Sequence, residues 1–175
     1  TDDGTRQLKW DAFDRLREVW EGMDLVESYL YDAEGRRVRK TGIGADTDYY
    51  LGGWRVLEEC GLSTTTPSRQ YVWGSCIDEA LVMDYNADAD SWTTGTQDVR
   101  SWYLQNPIYS VCALTDGNVN VVDAWEYDPY GRHVLLEDGN SNGRVDFDAT
   151  DTRTDMGVSS RGNPYTFTGR EFDHQ

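Results

Sequence analysis

The sequence predicts an all-β protein built as an array of antiparallel β-hairpins. Tyr29 and Tyr31 are two residues apart, the spacing that places side chains on one face of a strand, and a turn signal follows at residues 32–35. The same pattern returns at residues 125–132 and, in a weaker form, at residues 10–16. With 13% aromatic residues and 17 glycines, the composition is typical of strands joined by tight turns.

The first repeat is predicted to be a hairpin over residues 1–19 that turns at residues 11–14. A helix is the competing interpretation, because apolar residues follow a helical spacing across residues 13–23. Asp11 and Asp32 are 21 residues apart, and this match to the next repeat favours strands.

Turn residues divide the rest of the chain into further hairpins. Gly52-Gly53 suits the positive φ angles of a two-residue turn within residues 49–59. Residues 116–118 are a turn signal between strands predicted at 107–115 and 119–127. The other predicted segments are a turn at 21–24, a hairpin at 29–40, a loop at 42–48, a linker at 62–68, strands at 69–74 and 80–85, a polar loop at 86–96, a strand at 99–104, a turn at 128–131 and a strand at 132–136.

One predicted strand carries an acidic residue among apolar ones. Val119, Val121, Trp125 and Tyr127 alternate and share one face of that strand. Asp123 interrupts this face, which indicates a bulge or a partly open face.

Two motifs resemble the YD repeat of the Rhs and teneurin proteins. They are YDAEGRRVRK at residues 31–40 and EYDPYGR at residues 126–132. Three stretches, RQYVWG at 69–74, residues 102–132, and NPYTFTGREFD at 163–173, are similar to the segments that lead into the C-terminal end of the Rhs core. The resemblance covers nearly the whole chain.

This resemblance implies a long β-sheet that spirals into a hollow shell or barrel, on a secreted or surface-exposed protein. Family members often enclose a C-terminal toxin, released by a self-cleaving aspartyl site downstream of the segment that ends here. On this basis we expect three parts: a hairpin array over residues 1–136, an acidic insertion over 137–162 that is poor in strand signals, and a last strand within 163–175 that continues into the Rhs core.

The charge of the chain disfavours two classes of partner. The formal net charge is -16, from 32 acidic and 16 basic side chains. Such a surface repels nucleic acid and anionic membranes, and no apolar run approaches the ~20 residues of a membrane span. Acidic side chains also keep a β-rich protein soluble and discourage pairing between strand edges. The cluster of positive charges at residues 36–40 predicts a ladder of cross-strand ion pairs.

The sequence predicts no enzyme. Cys60, Cys76 and Cys112 have no near neighbours at metal-ligand spacing, and we expect them to be buried free thiols. A nucleophilic site would have to use His133 with Cys76 or Cys112, because the other histidine, His174, is next to the chain end. No glycine-flanked serine or other local signal supports such a site.

One motif is typical of a calcium loop. Oxygen ligands at positions 1, 3, 5 and 9, a glycine at position 6 and an apolar residue at position 8 match the loop of EF-hand and dockerin type. Position 12 is Ala149 instead of an acid, so Asp148 or Asp151 would have to close the site. The alternative is a solvated acidic turn without metal. The candidate ligands are Asp138, Asn140, Asn142, Arg144 through its backbone carbonyl, Asp146 and Asp148.

These observations predict a non-catalytic structural segment of a secreted or cell-surface protein. We expect it to assemble through open strand edges into an extracellular filament or a longer β-structure. Its partners would be copies of itself or further repeats of its parent chain, because Thr1 falls within a repeat and another strand is expected after Gln175. The alternatives are a fragment of a toxin-encapsulating Rhs shell, and an adhesin or carbohydrate-binding module that binds a glycan or a protein.

Overall fold

The prediction of an all-β fold is confirmed. The computed structural model describes residues 5–42, 46–62, 64–86 and 98–171. In this part of the chain, 13 antiparallel strands follow one another in the sheet in their sequence order. The strands are β1 (Gln7–Trp10), β2 (Leu16–Glu21), β3 (Asp24–Tyr31), β4 (Arg37–Gly42), β5 (Thr47–Gly52), β6 (Arg55–Gly61), β7 (Pro67–Trp73), β8 (Ala80–Tyr85), β9 (Val99–Gln105), β10 (Val111–Thr115), β11 (Val121–Tyr127), β12 (His133–Glu137) and β13 (Thr152–Asp155).

No α-helix occurs among the described residues, so the helical alternative for residues 13–23 is wrong. Nor does this part of the chain contain a helix long and apolar enough to cross a membrane. Contacts divide the chain into two compact units, Thr1–Ser68 and Arg69–Gln175. The part boundaries expected at residues 137 and 163 stay predictions.

A five-residue turn recurs at strand ends in both units, and one aspartate or asparagine organises it. In the copy at 32–36, Asp32 Oδ1 accepts the backbone N–H groups of Glu34 and Arg36, both at 2.9 Å. The N–H of Asp32 donates to the carbonyl of Arg36 at 3.0 Å and so closes the strand pair, while Gly35 takes a left-handed φ of 84°. Such side-chain to backbone bonding defines an Asx turn. The copies are 11–15, 32–36, 106–110, 116–120 and 128–132.

In the first unit, arginines tie each Asx turn to the next turn. Arg15 binds Asp11 at 2.7 Å through Nε and reaches the carbonyl of Asp32 at 3.2 Å. Arg36 repeats both contacts, with Asp32 at 2.7 Å and with the carbonyl of Gly53 at 2.6 Å. These bonds join turns that begin 21 residues apart, at Asp11, Asp32 and Gly53, so they explain the 21-residue repeat physically.

The predicted ladder of charge pairs is confirmed in the first unit. Arg39 on β4 makes a two-bond pair with Asp48 on β5, at 2.5 and 2.9 Å. Lys40 Nζ lies 3.2 Å from Oε1 of the buried Glu27. The carboxylate of Glu27 also accepts a hydrogen bond from the hydroxyl of Tyr29. The positive charges of residues 36–40 therefore have structural partners.

Three local predictions differ from the structure. The β5–β6 turn consists of Gly53 and Trp54, one residue later than predicted. Residues 107–110 belong to an Asx turn and not to the predicted strand, and the predicted loop at 86–96 lies almost entirely outside the described residues. Only Cys60 is buried, whereas Cys112 is half-buried and Cys76 exposed, so the expectation of three buried thiols is wrong.

Val119 also lies in a turn instead of a strand. It is the fourth residue of the turn at 116–120, with a φ of 65° and 81% exposure. The register of this hairpin shifts between the pair Leu114–Asp123 and the pair Thr115–Val121, so the predicted bulge occurs directly beside Asp123. The side chain of Asp123 is fully buried, so the face that carries it is closed.

The C-terminal part differs most from the predicted strands. The insertion predicted at 137–162 contains β13, which pairs with β12 along its whole length. The last strand, expected within residues 163–175, does not form in the described part, residues 163–171. A single bridge joins Tyr165 to Glu171, and a 3₁₀ turn occupies Phe167–Gly169.

Val119→Gly is expected to stabilise the protein by about 1 kcal/mol, because a β-branched residue is strained at a left-handed φ that glycine adopts freely. Chemical denaturation measures the change. The matched control is Val72→Gly, which removes a half-exposed valine from strand β7 and should lower stability. Equal losses in the two variants would contradict a strained turn at Val119.

Candidate functional site

The predicted calcium loop begins as a sixth copy of the Asx turn. Asp138 Oδ1 accepts the backbone N–H groups of Asn140 and Asn142 at 3.0 and 3.3 Å, and Ser141 has a φ of 62°. Asp138 Oδ2 accepts a third N–H, from Gly143, at 2.6 Å. Burial alone would raise the pKa of Asp138, but these backbone hydrogen bonds lower it. The carboxylate therefore stays ionised and holds the loop in shape.

Three of the predicted ligands come together around one oxygen. Asp146 Oδ2 accepts the side-chain amides of Asn142 and Asn140 at 2.6 and 3.2 Å. Arg144 Nε donates to the other oxygen at 2.7 Å. The hydrogen bonds from Asn142, Asn140 and Arg144 lower the pKa of Asp146. Asp148 is directed elsewhere, since its carboxylate accepts the N–H and the hydroxyl of Thr150.

The donor set fits a calcium ion in its chemistry but lacks a closing carboxylate. The side-chain oxygens of Asn140 and Asn142 accept the backbone N–H groups of Asn142 and Arg144, both at 3.0 Å. Turning the two amides towards a calcium ion would place two more oxygens beside Asp146, but it would break these two bonds. Asp151, the sequence's other candidate for closure, accepts the backbone N–H groups of Asp146 and Asp148 at 3.0 and 3.1 Å. The described ranges contain no cluster of three His, Cys, Asp or Glu side chains suited to a metal ion.

The apolar residue at position 8 of the loop fixes the loop to the sheet. Val145 is 5% exposed and packs with Ala113, Ala124 and Leu136 on one face of β10, β11 and β12. Its N–H donates to the carbonyl of Val121 at 2.7 Å. The acidic loop is therefore a cover for this face of the sheet.

The opposite face is covered by residues 156–171, which we call the C-terminal strap. The N–H of Met156 donates to the carbonyl of His133 on β12, and His133 Nε2 lies 3.0 Å from the carbonyl of Gly157. One step further, the hydroxyl of Ser159 donates to Asp123 Oδ2 on β11 at 2.5 Å. The strap thus starts at β12 and crosses β11.

The middle of the strap binds the strands at the start of the second unit. Arg69 on β7 donates to the carbonyl of Gly162 at 2.7 Å, and Tyr103 on β9 donates to Asn163 Oδ1 at 2.8 Å. The ring of Tyr165 stands edge-on to two rings of β7, Tyr71 at 5.1 Å and Trp73 at 5.2 Å. Edge-to-face packing of this kind is favourable beyond the buried area alone. The carbonyl of Thr166 accepts the N–H of Val111 on β10 at 3.1 Å.

The motif TGR, at residues 168–170 of the strap, has an unusual backbone conformation. Thr168 and Gly169 both have left-handed φ angles, 51° and 67°. A Cβ at Gly169 would lie 2.7 Å from the carbonyl oxygen of Asp78, so glycine is required for close packing on the β7–β8 turn. Phe167 packs against Tyr127, with ring centroids 5.6 Å apart.

The residues weighed for catalysis have structural contacts. His133 is buried and contacts the strap, and Cys112 Sγ lies 3.6 Å from the carbonyl of Ser110.

Tyr127 donates to the carbonyl of Val111 at 2.7 Å, and burial raises its pKa. Tyr31 makes the equivalent bond to the carbonyl of Leu16, also at 2.7 Å. The tyrosine of each YD motif therefore ties its strand to the residue that follows an earlier Asx turn, the turn at 11–15 for Tyr31 and the turn at 106–110 for Tyr127.

The repeated Asx turns, two of them preceded by a tyrosine, and a sheet in sequence order give the chain the pattern of a YD-repeat array. No family model matches the chain. The tRNA3(Ser)-specific nuclease WapA of Bacillus spizizenii is 24% identical over 179 residues, which cover 100% of this chain and 6% of that protein. The tRNA nuclease WapA of Bacillus subtilis gives the same identity and coverage, 24% over 100% of this chain and 6% of that protein.

Solved structures with the same fold are parts of Tc toxins. The crystal structure of TcdB2-TccC3-Cdc42 matches with a TM-score of 0.61 and 18% identity over 97% of this chain and 8% of that chain. A Tc holotoxin pore of Photorhabdus luminescens matches with a TM-score of 0.56 and 14% identity over 97% and 8%. These proteins are of the Rhs type, so the resemblance to the Rhs family that the motifs indicate is confirmed. The chain spans less than a tenth of the length of each of these relatives.

Proposed function

We propose that this chain is a non-catalytic wall segment of a closed Rhs-type shell that encloses another part of its parent protein. The observation that supports this most is the match to TcdB2-TccC3-Cdc42, which covers 97% of this chain but only 8% of that chain. The same fold thus occurs there as a small part of a much longer polypeptide. This was the alternative interpretation of the sequence.

The order of the strands suits a wall. Each inner strand has its sequence neighbours on either side, and β1 and β13 end the described sheet. A strand at the end of a sheet offers backbone donors and acceptors to a further strand. We propose that the partners are further repeats of the parent chain or other chains of an assembly, at an extracellular or cell-surface location.

The two rival functions have less support. A filament of identical copies would also use the end strands, but nothing in the relatives points to one. The adhesin alternative depends on exposed Trp and Tyr rings. The two most exposed of these among the described residues, Tyr130 at 92% and Trp54 at 66%, lie in the turns of two different hairpins. A glycan array tests that alternative.

Electron microscopy of the full-length parent protein tests the proposed function. We expect closed hollow particles with this segment in the wall, and the enclosed part should resist protease until the shell is opened by denaturant. Light scattering on the isolated chain provides the comparison with a filament. Particles that lengthen with concentration, together with an accessible interior in the full-length protein, would contradict the shell.

We also propose a structural calcium ion at the acidic loop, held by Asp138, Asn140, Asn142, the carbonyl of Arg144, and Asp146. The convergence of Asn140 and Asn142 on Asp146 supports it. Calcium there would fix the loop that places Val145 in the core, and would thereby strengthen the cover on β10–β12.

Calcium at about 100 times its Kd is expected to stabilise the protein by about 2.7 kcal/mol, because only the folded loop binds it. Thermal unfolding with and without calcium measures this, and calorimetry measures the binding. Asp146→Asn should abolish the effect, whereas Asp155→Asn, an exposed acid on the neighbouring β13, should keep it. A wild-type melting temperature that calcium does not change means that no such site exists.

A further inference from the structure

We propose that the C-terminal strap is a pH-sensitive latch, in which a proton on Asp123 favours docking of Ser159 at acid pH and loss of that proton loosens the strap towards neutral pH. This goes beyond the wall function and does not depend on it. Asp123, the strands that flank it and the strap all belong to the second unit.

The group at the centre of the latch is the carboxyl group of Asp123, and no positively charged side chain in the described part of the chain is in contact with it. Asp123 is 0% exposed and lies on β11 between Leu114 of β10 and Glu137 of β12. Its Oδ2 accepts a hydrogen bond from the hydroxyl of Ser159, and its Oδ1 has no hydrogen-bond partner within the described residues. A buried carboxylate of this kind is costly when ionised, because burial removes water without supplying enough donors.

The charged groups that face Asp123 do not remove the free-energy cost of ionising its buried carboxyl group. From β10 it meets the apolar Leu114, from β12 the acid Glu137, and from the strap Ser159 and Arg161. Burial is the main cause that raises the pKa of Asp123, to about 6. Glu137 adds to the rise, while the hydrogen bond from Ser159 and the charge of Arg161 oppose it. The carboxyl therefore titrates close to physiological pH.

The direction of the pH effect depends on which state of the strap, docked or lifted, binds the Asp123 proton more tightly. With the strap docked the pKa is about 6, and with the strap lifted water reaches the carboxyl and the pKa returns towards its ordinary value of 3.8. Protons thus favour the docked strap. Docking is strongest below about pH 4, weakens about tenfold per pH unit as the pH rises towards 6, and is about a hundredfold weaker above that.

The effect is transmitted along the strap by Ser159. Its oxygen also accepts the backbone N–H groups of Arg161 and Asn163 at 3.1 and 3.3 Å, and Asn163 in turn binds Tyr103. Glu137 accepts the N–H of Ser160 at 3.2 Å. Loss of the Asp123 proton therefore loosens the segment between the anchors at Gly157 and Tyr165.

Hydrogen exchange of the whole chain between pH 4.5 and 8, corrected for intrinsic rates, tests the latch. For the amides of Arg161 and Asn163 we expect the opening equilibrium to increase by tens of times over this range, with most of the change below about pH 6. Asp123→Asn mimics the protonated form and should keep both amides protected at every pH. The matched control is Asp11→Asn in a turn of the first unit, which should leave the pH dependence unchanged, because Asn106 supports the same type of turn.

Two outcomes would overturn the proposal: equal protection of these amides across the pH range in the wild type, or an unchanged pH dependence in Asp123→Asn. Carbon NMR of the Asp123 carboxyl in the wild type covers the case in which the variant does not fold. A carboxyl that titrates at its ordinary pKa shows that no latch exists. Tyr165→Ala adds a further control, since it should loosen the strap equally at all pH values.

Discussion

The structure depends on one interaction, the double hydrogen bond from two backbone amides to a single side-chain oxygen at the start of each Asx turn. This oxygen satisfies two N–H groups that a five-residue turn would otherwise leave to water, and it fixes where the next strand begins. In the first unit the same aspartates also hold an arginine that reaches the next turn, as Arg15 reaches Asp32. In the first unit, one aspartate per repeat therefore sets both the hairpin and its spacing from the next hairpin.

In the second unit, two segments outside the regular repeats cover the two faces of the sheet. The acidic loop covers one face of β10–β12 through Val145, and the strap covers the other through Ser159. Strands buried on both faces carry apolar residues without strict alternation, and β11 is buried at four consecutive positions, 122–125. This explains why Asp123 is enclosed, although a carboxylate on a one-sided sheet would face water.

The sequence is informative where the chemistry of a turn depends on residue type. Asp32, Gly35 and Arg36 are each required by their contacts, and the YD motif therefore locates its turn. It is less informative where the backbone imposes a conformation on an ordinary residue. Tyr109 and Val119 have left-handed φ angles, but neither residue type signals a turn, so both were placed in strands.

The acidic loop and the strap are two further places where the sequence pattern does not determine the conformation. The spacing of Asp138, Asn140 and Asn142 is shared by a calcium loop and by an Asx turn, because both wrap backbone amides around a first aspartate. Tyr165 and Phe167 alternate as in a strand, but they pack on rings of β7 and β11 instead of joining a ladder. Contacts between residues that are distant in sequence decide these conformations, and no local pattern contains them.

Residue-level hydrogen exchange by NMR tests the role of the Asx turn most directly. The amides at the fifth position of the turns, those of Arg15, Arg36, Ser110, Asn120 and Arg132, should exchange far more slowly than free amides, although they lie at the ends of hairpins. Replacement of a first-position aspartate by alanine should remove this protection in its own turn. Exchange at these five positions as fast as in an unstructured loop would contradict the account.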